Sequence, residues 1–506
     1  MGLYDFSFYD LISRNAVAYA DCPCWREIDD GRQLTFAEYK KQVDLLADGL
    51  TGIGIKKGDR LGVVGKNSLE FFLIYGAAAA LGAIVLPVNW RLSADEMTFN
   101  LNDCQARIAF VDAEFQQQLK ARRGDLPTVT TFYNLKADLG EAEPFASLLH
   151  SPGRQVRTEV ASSDGFVIIH TAAVAGRPRG ALLNHGNILL AGMHFNYYLG
   201  ISTSDVHLNL LPLFHVAGLF MATSCFHAGA VNLNISKFEA KTAVKLIAAS
   251  GVSLLFDFPP ILDSLLKAAA EENLVLRSLR AIVGLGTQAT IEQFQETTGG
   301  FYYAMYGQTE TSCLTSMGKY SDRPGSAGKV VMLSDVRLVD EDDRSVAPGQ
   351  VGEITVKGPM VFMGYWDLPE DNAHTFRGGW HHTGDLGRFD DQGFLFYAGR
   401  KAEKELIKPG GENVYPAEVE KVILQHPAVA KTVVIGVPDP KWKEGIKAVC
   451  QLHEGKELTA MELIRFVGER IAGFKKPQYV EFVAALPQKA DGSLDREAVK
   501  SRFGKV

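Results

Sequence analysis

The stretch FVIIHTAAVAGRPRG (residues 166–180) joins a short apolar run to a loop rich in glycine and cations. The apolar run at 166–169 predicts a buried strand, and the loop begins where that strand ends. Nucleotides commonly bind at the ends of strands in α/β proteins, and the N–H groups of a glycine-rich turn can point at phosphate oxygens. The stretch therefore predicts a phosphate loop on an α/β sheet. A surface turn with two arginines is the alternative.

The loop lacks hydroxyl groups that a phosphate site usually offers. Small apolar residues, Ala172, Val174 and Ala175, occupy the positions between the strand and the glycines. Each lost hydroxyl removes about 0.5–1.5 kcal/mol of net hydrogen bonding. Such losses weaken a site without abolishing it, so a modified site is favoured over a decayed one. The candidate ligands that remain are Thr171, Gly176, Arg179 and Gly180.

The segments on either side of this stretch alternate between strand and helix patterns over some 300 residues. RLGVVGK, AIVLPVNW and RIAFVDA are typical strand sequences, and helical patterns lie between them. This alternation predicts parallel sheets covered by helices. From about residue 320 the strands alternate and are joined by Asp/Gly turns, which predicts a small β-barrel. Residues 401–506 read as a compact α+β unit, and the boundary near Arg400 is a candidate hinge.

Composition excludes several classes of protein. The uncharged run FFLIYGAAAALGAIVLPV (71–88) is long enough to raise a membrane span, but its Ala/Gly content and Pro87 favour a packed helix running into a strand. Six cysteines in 506 residues form no disulfide framework, and no secretory signal is evident, so a cytoplasmic location is expected. Net charge is −7, with a slight basic excess in 401–506, and nothing indicates a nucleic-acid partner.

A second motif, YYAMYGQTETS (302–312), groups residues suited to a nucleotide and a metal ion. Tyr306 offers a flat face for a base, and Gly307 permits close backbone approach. Thr309 supplies a hydroxyl, and Glu310 supplies a carboxylate for a Mg²⁺ shared with phosphate oxygens. In isolation this motif is weakly specific.

A third stretch, residues 379–416, contains an acid and an arginine fifteen positions apart. Asp385 is a candidate acceptor for the hydroxyls of a ribose, as acidic residues are in dinucleotide sites. Arg400 follows a turn and an apolar strand and can contact the same nucleotide. His381, His382 and Asp385 resemble metal ligands, but adjacent histidines point apart in a strand, which disfavours a metal.

The order and spacing of these stretches resemble the adenylate-forming superfamily of acyl-CoA synthetases, firefly luciferases and peptide-synthetase adenylation domains, most closely the bacterial acyl-CoA synthetases. The resemblance covers nearly the whole chain. The family's phosphate loop reads roughly TSGTTGxPKG, which corresponds to residues 171–180. Further matching blocks follow in family order: LLPLFHVAGL (210–219), VGLGTQA (283–289), YGQTE (306–310), GEITVKGPMVFMGYW (352–366), TGDLG (383–387), GR (399–400) and GGENVYPAEVE (410–420).

The resemblance implies a carboxylic acid:CoA ligase that uses ATP, Mg²⁺ and coenzyme A, as a monomer or homodimer. It implies an N-terminal domain (1–399) with two helix-covered sheets and the barrel, and a mobile α+β C-terminal domain (400–506) with a hinge near 400–404. The implied catalytic residues are Lys489, Thr309, Glu310 and Arg400, with Thr171 and Glu310 at the metal. The nucleotide would contact Thr171, Gly176, Arg179, Gly180, Gly284, Gly286, Thr287, Tyr306, Gly307, Gln308, Thr309, Asp385 and Arg400.

The same resemblance implies that the acid and coenzyme A contact His215, Gly218, Phe258, Gly284, Gly410, Gly411 and Glu412. The pocket walls read as mostly apolar, with Asp257 the one charged side chain in those segments. No arginine stands out there to pair with a second carboxylate, which argues against dicarboxylates. An apolar monocarboxylic acid is expected, whether fatty, cyclic or aryl.

The C-terminal segment departs from the family pattern at a second place. Relatives carry a lysine after glycine in a segment like LPRTxxGKxxR, whereas LPQKADGSLDR (486–496) has Ser493 at that position. Serine brings no positive charge to the α-phosphate, and Lys489 is the nearest cation. Two alternatives stay open: a non-catalytic nucleotide- or acyl-binding relative, and an oxidoreductase in which VGLGTQA is a dinucleotide turn. The second rests on one weak motif.

Overall fold

The computed structural model describes residues 5–136, 142–150, 158–174, 177–401, 406–440, 442–489 and 494–505. The described helices are α1 (Phe8–Ala18), α2 (Phe36–Gly52), α3 (Leu69–Leu81), α4 (Ala94–Asp103), α5 (Ala113–Lys120), α6 (His185–Leu199), α7 (Val216–Ala228), α8 (Ala240–Ser250), α9 (Ile261–Glu271), α10 (Gln288–Thr298), α11 (Pro369–Thr375), α12 (Pro416–Ile423), α13 (Ala460–Gly468) and α14 (Arg496–Phe503).

The described strands are β1 (Pro23–Glu27), β2 (Gln33–Thr35), β3 (Arg60–Val64), β4 (Ile84–Val88), β5 (Ile108–Val111), β6 (Thr131–Asn134), β7 (Gly165–Val174), β8 (Arg177–Asn184), β9 (Val206–Asn209), β10 (Val231–Asn234), β11 (Leu254–Asp257), β12 (Ala281–Gly284), β13 (Phe301–Tyr306), β14 (Ser316–Lys319), β15 (Lys329–Val330), β16 (Asp335–Val339), β17 (Gly352–Lys357), β18 (Gly364–Tyr365), β19 (His381–Phe389), β20 (Leu395–Arg400), β21 (Val429–Asp439), β22 (Lys443–Leu452) and β23 (Tyr479–Phe482).

The chain divides into two compact units. The first comprises the described residues of Met1–Trp90, Leu101–Ile169 and Gly180–Gly399, and the second comprises those of Arg91–Asn100, His170–Arg179 and Arg400–Val506. Short segments around α4 and the predicted phosphate loop therefore group with the C-terminal part of the chain. The domain boundary at 399/400 and the hinge at 400–404 stay predictions, and residues 402–405 lie outside the described part.

Two mainly parallel sheets contain most strands of the first unit. One has the described order β18–β8–β7–β4–β3–β5–β6, and the other β15–β14–β13–β12–β11–β9–β10–β1–β2. Strand β3 pairs in parallel with β4 and β5, and β12 pairs in parallel with β11 and β13. Helices α8, α9 and α10 cover one face of the second sheet through an apolar cluster around Leu255 and Ile282. The predicted α/β architecture with helix-covered sheets is confirmed.

Helix α3 is buried along its whole length. Its core includes side chains from α1, α2 and α7, and Phe72 packs edge-on against Phe226 with ring centroids 5.8 Å apart. Gly82, at φ 66°, ends the helix in the left-handed conformation that glycine adopts without strain. The apolar run 71–88 is thus a packed helix running into β4, as predicted. No helix in the described ranges is long and apolar enough to span a bilayer.

The predicted small barrel corresponds to an antiparallel sheet in the described order β16–β17–β19–β20. Ile354, Val356 and Leu395 form its apolar core. In the second unit, β21, β22 and β23 form one sheet. Residues of β21 alternate between its two faces: Val434 packs with α12 and α13, whereas Val433 and Ile435 pack with α14.

Candidate nucleotide and acid site

The YGQTE motif lies at the carboxyl end of β13, as a parallel strand requires for a ligand site. Tyr306 is the last residue of the strand, and a short 3₁₀ turn over Thr309–Thr311 follows. Gly307 lies so close to the next turn that a Cβ there would be 2.0 Å from the carbonyl oxygen of Cys313. Only glycine fits at this position. The backbone that approaches Gly307 closely is therefore that of Cys313, within the protein itself.

Asp385 and Tyr306 meet in a buried polar network. The Tyr306 hydroxyl donates to Asp385 Oδ2 at 2.9 Å, and Gln308 Nε2 lies 3.3 Å from the same oxygen. Burial, followed by the negative charge of Asp385, raises the pKa of Tyr306 well above its ordinary value, so the phenol remains a neutral donor. The Tyr306 ring also stacks on Tyr397 at 6.2 Å. The structure therefore brings together three of the predicted nucleotide residues, from the end of β13, the turn that follows it and β19.

Glu310, two residues after Gln308 in the chain, is buried at 5 % exposure. Its Oε1 accepts a hydrogen bond from the Tyr365 hydroxyl at 2.9 Å, which orients the carboxylate. The adjacent Thr309 is also buried. A carboxylate and a hydroxyl are hard oxygen donors of the kind that Mg²⁺ prefers, so the residues present fit the predicted metal.

The VGLGTQA segment connects β12 to α10. A Cβ at Gly284 would lie 2.0 Å from the carbonyl oxygen of Asp257, and one at Gly286 would lie 3.0 Å from the Tyr302 hydroxyl. Close backbone packing therefore requires glycine at position 284, whereas Gly286 lies against the side chains of Ile291 and Tyr302. Thr287 caps α10, because its hydroxyl accepts from the Thr290 N–H. The three predicted contacts of this segment with nucleotide stay predictions.

The predicted acid-binding residues form an aromatic cluster at the end of β11. The rings of His215 and Phe258 meet edge-on at 6.0 Å, and Phe256 stacks on Phe258 at 5.4 Å. His215 is the N-cap of α7, and a Cβ at Gly218 would lie 2.2 Å from the carbonyl oxygen of Pro212, so Gly218 lets the helix pack closely.

Asp257 forms hydrogen bonds within the fold through both carboxylate oxygens. Its Oδ1 accepts from the Leu262 N–H at 3.0 Å and its Oδ2 from the Tyr302 hydroxyl at 3.0 Å. Burial and then the charge of Asp257 raise the pKa of Tyr302, so the phenol stays a donor. Both carboxylate oxygens of the one acidic residue expected in the pocket wall therefore accept hydrogen bonds within the fold.

The predicted phosphate loop is shorter than expected from the sequence. Strand β7 continues to Val174 and β8 begins at Arg177, so most of residues 170–180 lie in neighbouring strands of one sheet. Alanine and valine permit strand geometry more readily than glycine does, and this explains the extension. Thr171 Oγ1 donates to the Arg179 carbonyl at 3.3 Å, and the Gly180 carbonyl accepts from the Trp366 N–H. Gly176 lies outside the described residues.

The remaining predicted residues belong to the second unit. Arg400 ends β20, and Lys489 is exposed beside an isolated bridge between Gln488 and Leu494. Gly410 adopts φ 59° and lies against the Trp442 ring, and Glu412 pairs with Arg91 at 3.1 Å. Gly411 follows Gly410 in the same 3₁₀ turn. The roles of these residues stay predictions.

Sequence reasoning missed a set of buried partners around Asp385. Glu353, in the GEITVKG block, is 3 % exposed and accepts from the N–H of Gly384. His381 and His382 do point apart, as expected. His381 lies near Gln308, and His382 faces Glu353. The sequence does show an acid, Glu353, inside an apolar strand. Its partner Gly384 is distant in sequence, so the contact could not be recognised from the sequence.

Comparison with known families gives two matches along this chain. The sequence pattern of the family described as "AMP-binding enzyme" matches residues 12–366, and that of "AMP-binding enzyme C-terminal domain" matches residues 418–493. Together they cover most of the chain and include YGQTE and the phosphate-loop stretch. The dinucleotide interpretation of VGLGTQA is set aside by these matches.

Individual relatives extend the match to nearly the whole length. An indoleacetate–CoA ligase from Aromatoleum aromaticum is 33% identical, with 93% of each chain covered. A feruloyl-CoA synthase from an Amycolatopsis species is 32% identical, covering 94% of this chain and 95% of the relative. A solved structure of a double mutant of o-succinylbenzoate CoA synthetase from Bacillus subtilis, bound to a product analogue, is 28% identical, covers 98% of each chain and has a TM-score of 0.87.

Proposed function

Because the chain belongs to the AMP-binding enzyme family, we propose that it is an ATP-dependent, AMP-forming carboxylic acid:coenzyme A ligase that works through an acyl-adenylate. The observation that carries the proposal is the network of Tyr306, Gln308 and Asp385, together with Glu310. Asp385 offers a carboxylate suited to ribose hydroxyls, and Glu310, two residues after Gln308, offers a carboxylate suited to a metal ion. Together they suit the ribose and the metal-bound phosphates of a nucleoside triphosphate.

The reaction has two displacement steps. A carboxylate oxygen of the acid attacks the α-phosphorus of ATP, and pyrophosphate leaves with the electrons of the broken P–O bond. The sulfur of coenzyme A then attacks the carbonyl carbon of the acyl-adenylate, its proton is lost, and AMP leaves with the electrons of the C–O bond. Negative charge builds at the phosphate in the first step, so a preorganised polar site lowers that barrier.

In the first step, different residues would bind the ribose and the metal ion. Asp385 would accept hydrogen bonds from the ribose, while Tyr306 and Gln308 hold its carboxylate in place. Glu310, with Thr309 and Thr171 as further oxygen donors, would hold Mg²⁺. When bound, Mg²⁺ neutralises charge on the phosphate oxygens. Tyr365 keeps Glu310 oriented for that role.

Arg179 would contact the β- or γ-phosphate and partly offset the missing hydroxyls of the loop. Its planar guanidinium offers several donors to phosphate where relatives carry lysine. Arg179→Ala is expected to raise the KM for ATP by about tenfold, the size of one charge-assisted hydrogen bond, and to leave the KM for the acid nearly unchanged. Steady-state kinetics with each substrate varied in turn measure both. Unchanged ATP KM with a lowered melting temperature would make Arg179 structural.

The acid is an apolar monocarboxylic acid, and the aromatic cluster of His215, Phe256 and Phe258 favours an aryl member of that class. Aromatic rings pair well with one another at edge-on and offset geometries. The indoleacetate and feruloyl relatives are named for aromatic monocarboxylic acids, and the o-succinylbenzoate synthetase is named for an aromatic acid that carries a second carboxylate. A fatty or alicyclic acid is the second candidate. Asp257 is the one acidic side chain expected in the wall, and both of its carboxylate oxygens accept hydrogen bonds within the fold.

ATP–pyrophosphate exchange across a panel of acids tests the proposed function. Exchange that depends on an aryl acid is expected, with weaker exchange for fatty acids of similar size. Thioester formation with coenzyme A should follow for the same acid. A folded protein that binds ATP but exchanges with no acid would instead be a non-catalytic binding relative.

The C-terminal part would supply the second step. We propose that residues from about 400 rotate around a hinge near Arg400 and that Gly410, Gly411 and Glu412 line the approach of coenzyme A. Support comes from the resemblance in these segments and from the match of residues 418–493 to the family's C-terminal domain. Free thiols at all six cysteines agree with the cytoplasmic location that we propose. A monomer or homodimer is expected.

A further inference from the structure

Asp385 lies in an irregular part of β19. Along β17, Glu353 pairs with Leu386 and Thr355 pairs with His382. A step of two residues in β17 thus faces a step of four in β19, so Thr383, Gly384 and Asp385 bulge out of the ladder. Bulges bend a strand and redirect side chains, and they occur often beside active sites. Asp385, in this bulge, accepts the hydrogen bond from the Tyr306 hydroxyl.

Buried hydrogen bonds fix this bulge from the β17 side. Glu353 Oε1 accepts from the Gly384 N–H at 2.9 Å, and Gly384 adopts φ 67°. The Thr383 hydroxyl donates to the Ile354 carbonyl at 2.6 Å and accepts from the Asp385 N–H at 3.1 Å. In these hydrogen bonds β17 contributes one side chain, that of Glu353. It holds Gly384, the residue next to Asp385.

The other oxygen of Glu353 belongs to an ion network. Glu353 Oε2 lies 3.3 Å from Arg377 Nη2 and 3.3 Å from His382 Nδ1. Arg377 also forms a two-pronged pair with Asp343, and this hydrogen bonding lowers the pKa of Asp343. Asp343, Glu353 and His382 lie close enough to hold a metal ion, but Arg377 already supplies positive charge there. We therefore interpret the network as one that holds the Glu353 carboxylate in place.

We propose that Glu353 is a positioning residue for nucleotide recognition. By holding Gly384 it sets the direction of Asp385, and through Asp385 it sets the affinity for the ribose hydroxyls. This inference rests on the proposed function, since it takes Asp385 as the ribose acceptor. It predicts that Glu353 affects how the protein distinguishes ATP from an analogue that lacks a ribose hydroxyl.

The test is a calorimetric comparison of ATP with 2′-deoxy-ATP. The parent should bind ATP about tenfold more tightly than the deoxy analogue, the size of one hydrogen bond to a charged group. Glu353→Ala should reduce this preference to less than about threefold, and Asp385→Asn should reduce it to the same extent. The double variant should show no further loss, because both substitutions remove one contact.

Two further variants separate positioning from stability. Glu353→Gln keeps an oxygen that can accept from Gly384 and should retain more of the preference than Glu353→Ala. Glu341→Ala removes an exposed acid near the same sheet and should retain all of it. A folded Glu353→Ala or Glu353→Gln protein with the parent's full preference overturns the inference, as does a parent with no preference. Because the readout is binding, acid-dependent exchange by the parent decides the proposed function separately.

Discussion

Replacing Glu310 by glutamine is expected to lower the rate of acyl-adenylate formation by about 100- to 1000-fold, the cost of removing a key charge-stabilising group in an enzyme site. The reason is the loss of a negative charge from the oxygen set that would hold Mg²⁺ beside the phosphates. The fold should survive the change, because the glutamine amide oxygen can still accept from the Tyr365 hydroxyl. ATP–pyrophosphate exchange measured over a range of Mg²⁺ concentrations gives both the rate and the metal requirement.

Two control variants sharpen this test. Glu296→Gln removes the charge of an exposed glutamate on α10 and should leave exchange unchanged. Tyr365→Phe keeps the Glu310 charge but removes its hydrogen bond, so it should shift the Mg²⁺ dependence with a smaller loss of rate. If Glu310→Gln exchanged at the parent's rate with the parent's Mg²⁺ dependence, Glu310 would have no part in the mechanism.

Local patterns were sufficient to predict the architecture. The apolar run at 71–88 carries glycine, alanine and Pro87 where a helix gives way to a strand, and α3 and β4 follow that pattern. The strand patterns RLGVVGK (60–66) and RIAFVDA (107–113) likewise correspond to β3 and β5. These features depend on residues near one another in sequence, which is why they can be recognised without a structure.

The candidate site was only partly predictable, because its geometry depends on distant partners. Tyr306 and Asp385 are both evident as motif residues, but the hydrogen bond between them joins two sheets across 79 positions of sequence. The bulge in β19 depends on how that strand registers with β17, and register leaves no local mark in the sequence. The extension of β7 to Val174 was missed for a related reason, since sheet pairing outweighed the loop signal of the flanking glycines.

Lys489 poses a different question, because the family's usual lysine position is Ser493. Adenylation builds negative charge on the α-phosphate, and a cation placed there is worth about 10²–10³ in rate. Lys489 is exposed and stands at the base of the segment that contains Ser493, next to the bridge that joins Gln488 to Leu494. Residues 490–493 lie outside the described part, so the sequence separation sets the limit: four residues span at most about 14 Å.

Lys489→Ala is therefore expected to slow acyl-adenylate formation by about 100-fold, by removal of that cation, while thioester formation from preformed acyl-adenylate changes by less than about threefold. Single-turnover assays of each half-reaction measure the two rates. Lys476→Ala, which removes an exposed lysine of the same unit, is the matched control and should leave both rates unchanged. Restoring a cation at the family position, with Ser493→Lys in the Lys489→Ala background, should recover adenylation. Adenylation by Lys489→Ala at the parent's rate would contradict the replacement. If Ser493→Lys then accelerated the parent, the natural enzyme would adenylate without a cation at this point, and Arg179 with the bound metal ion would have to stabilise the charge alone.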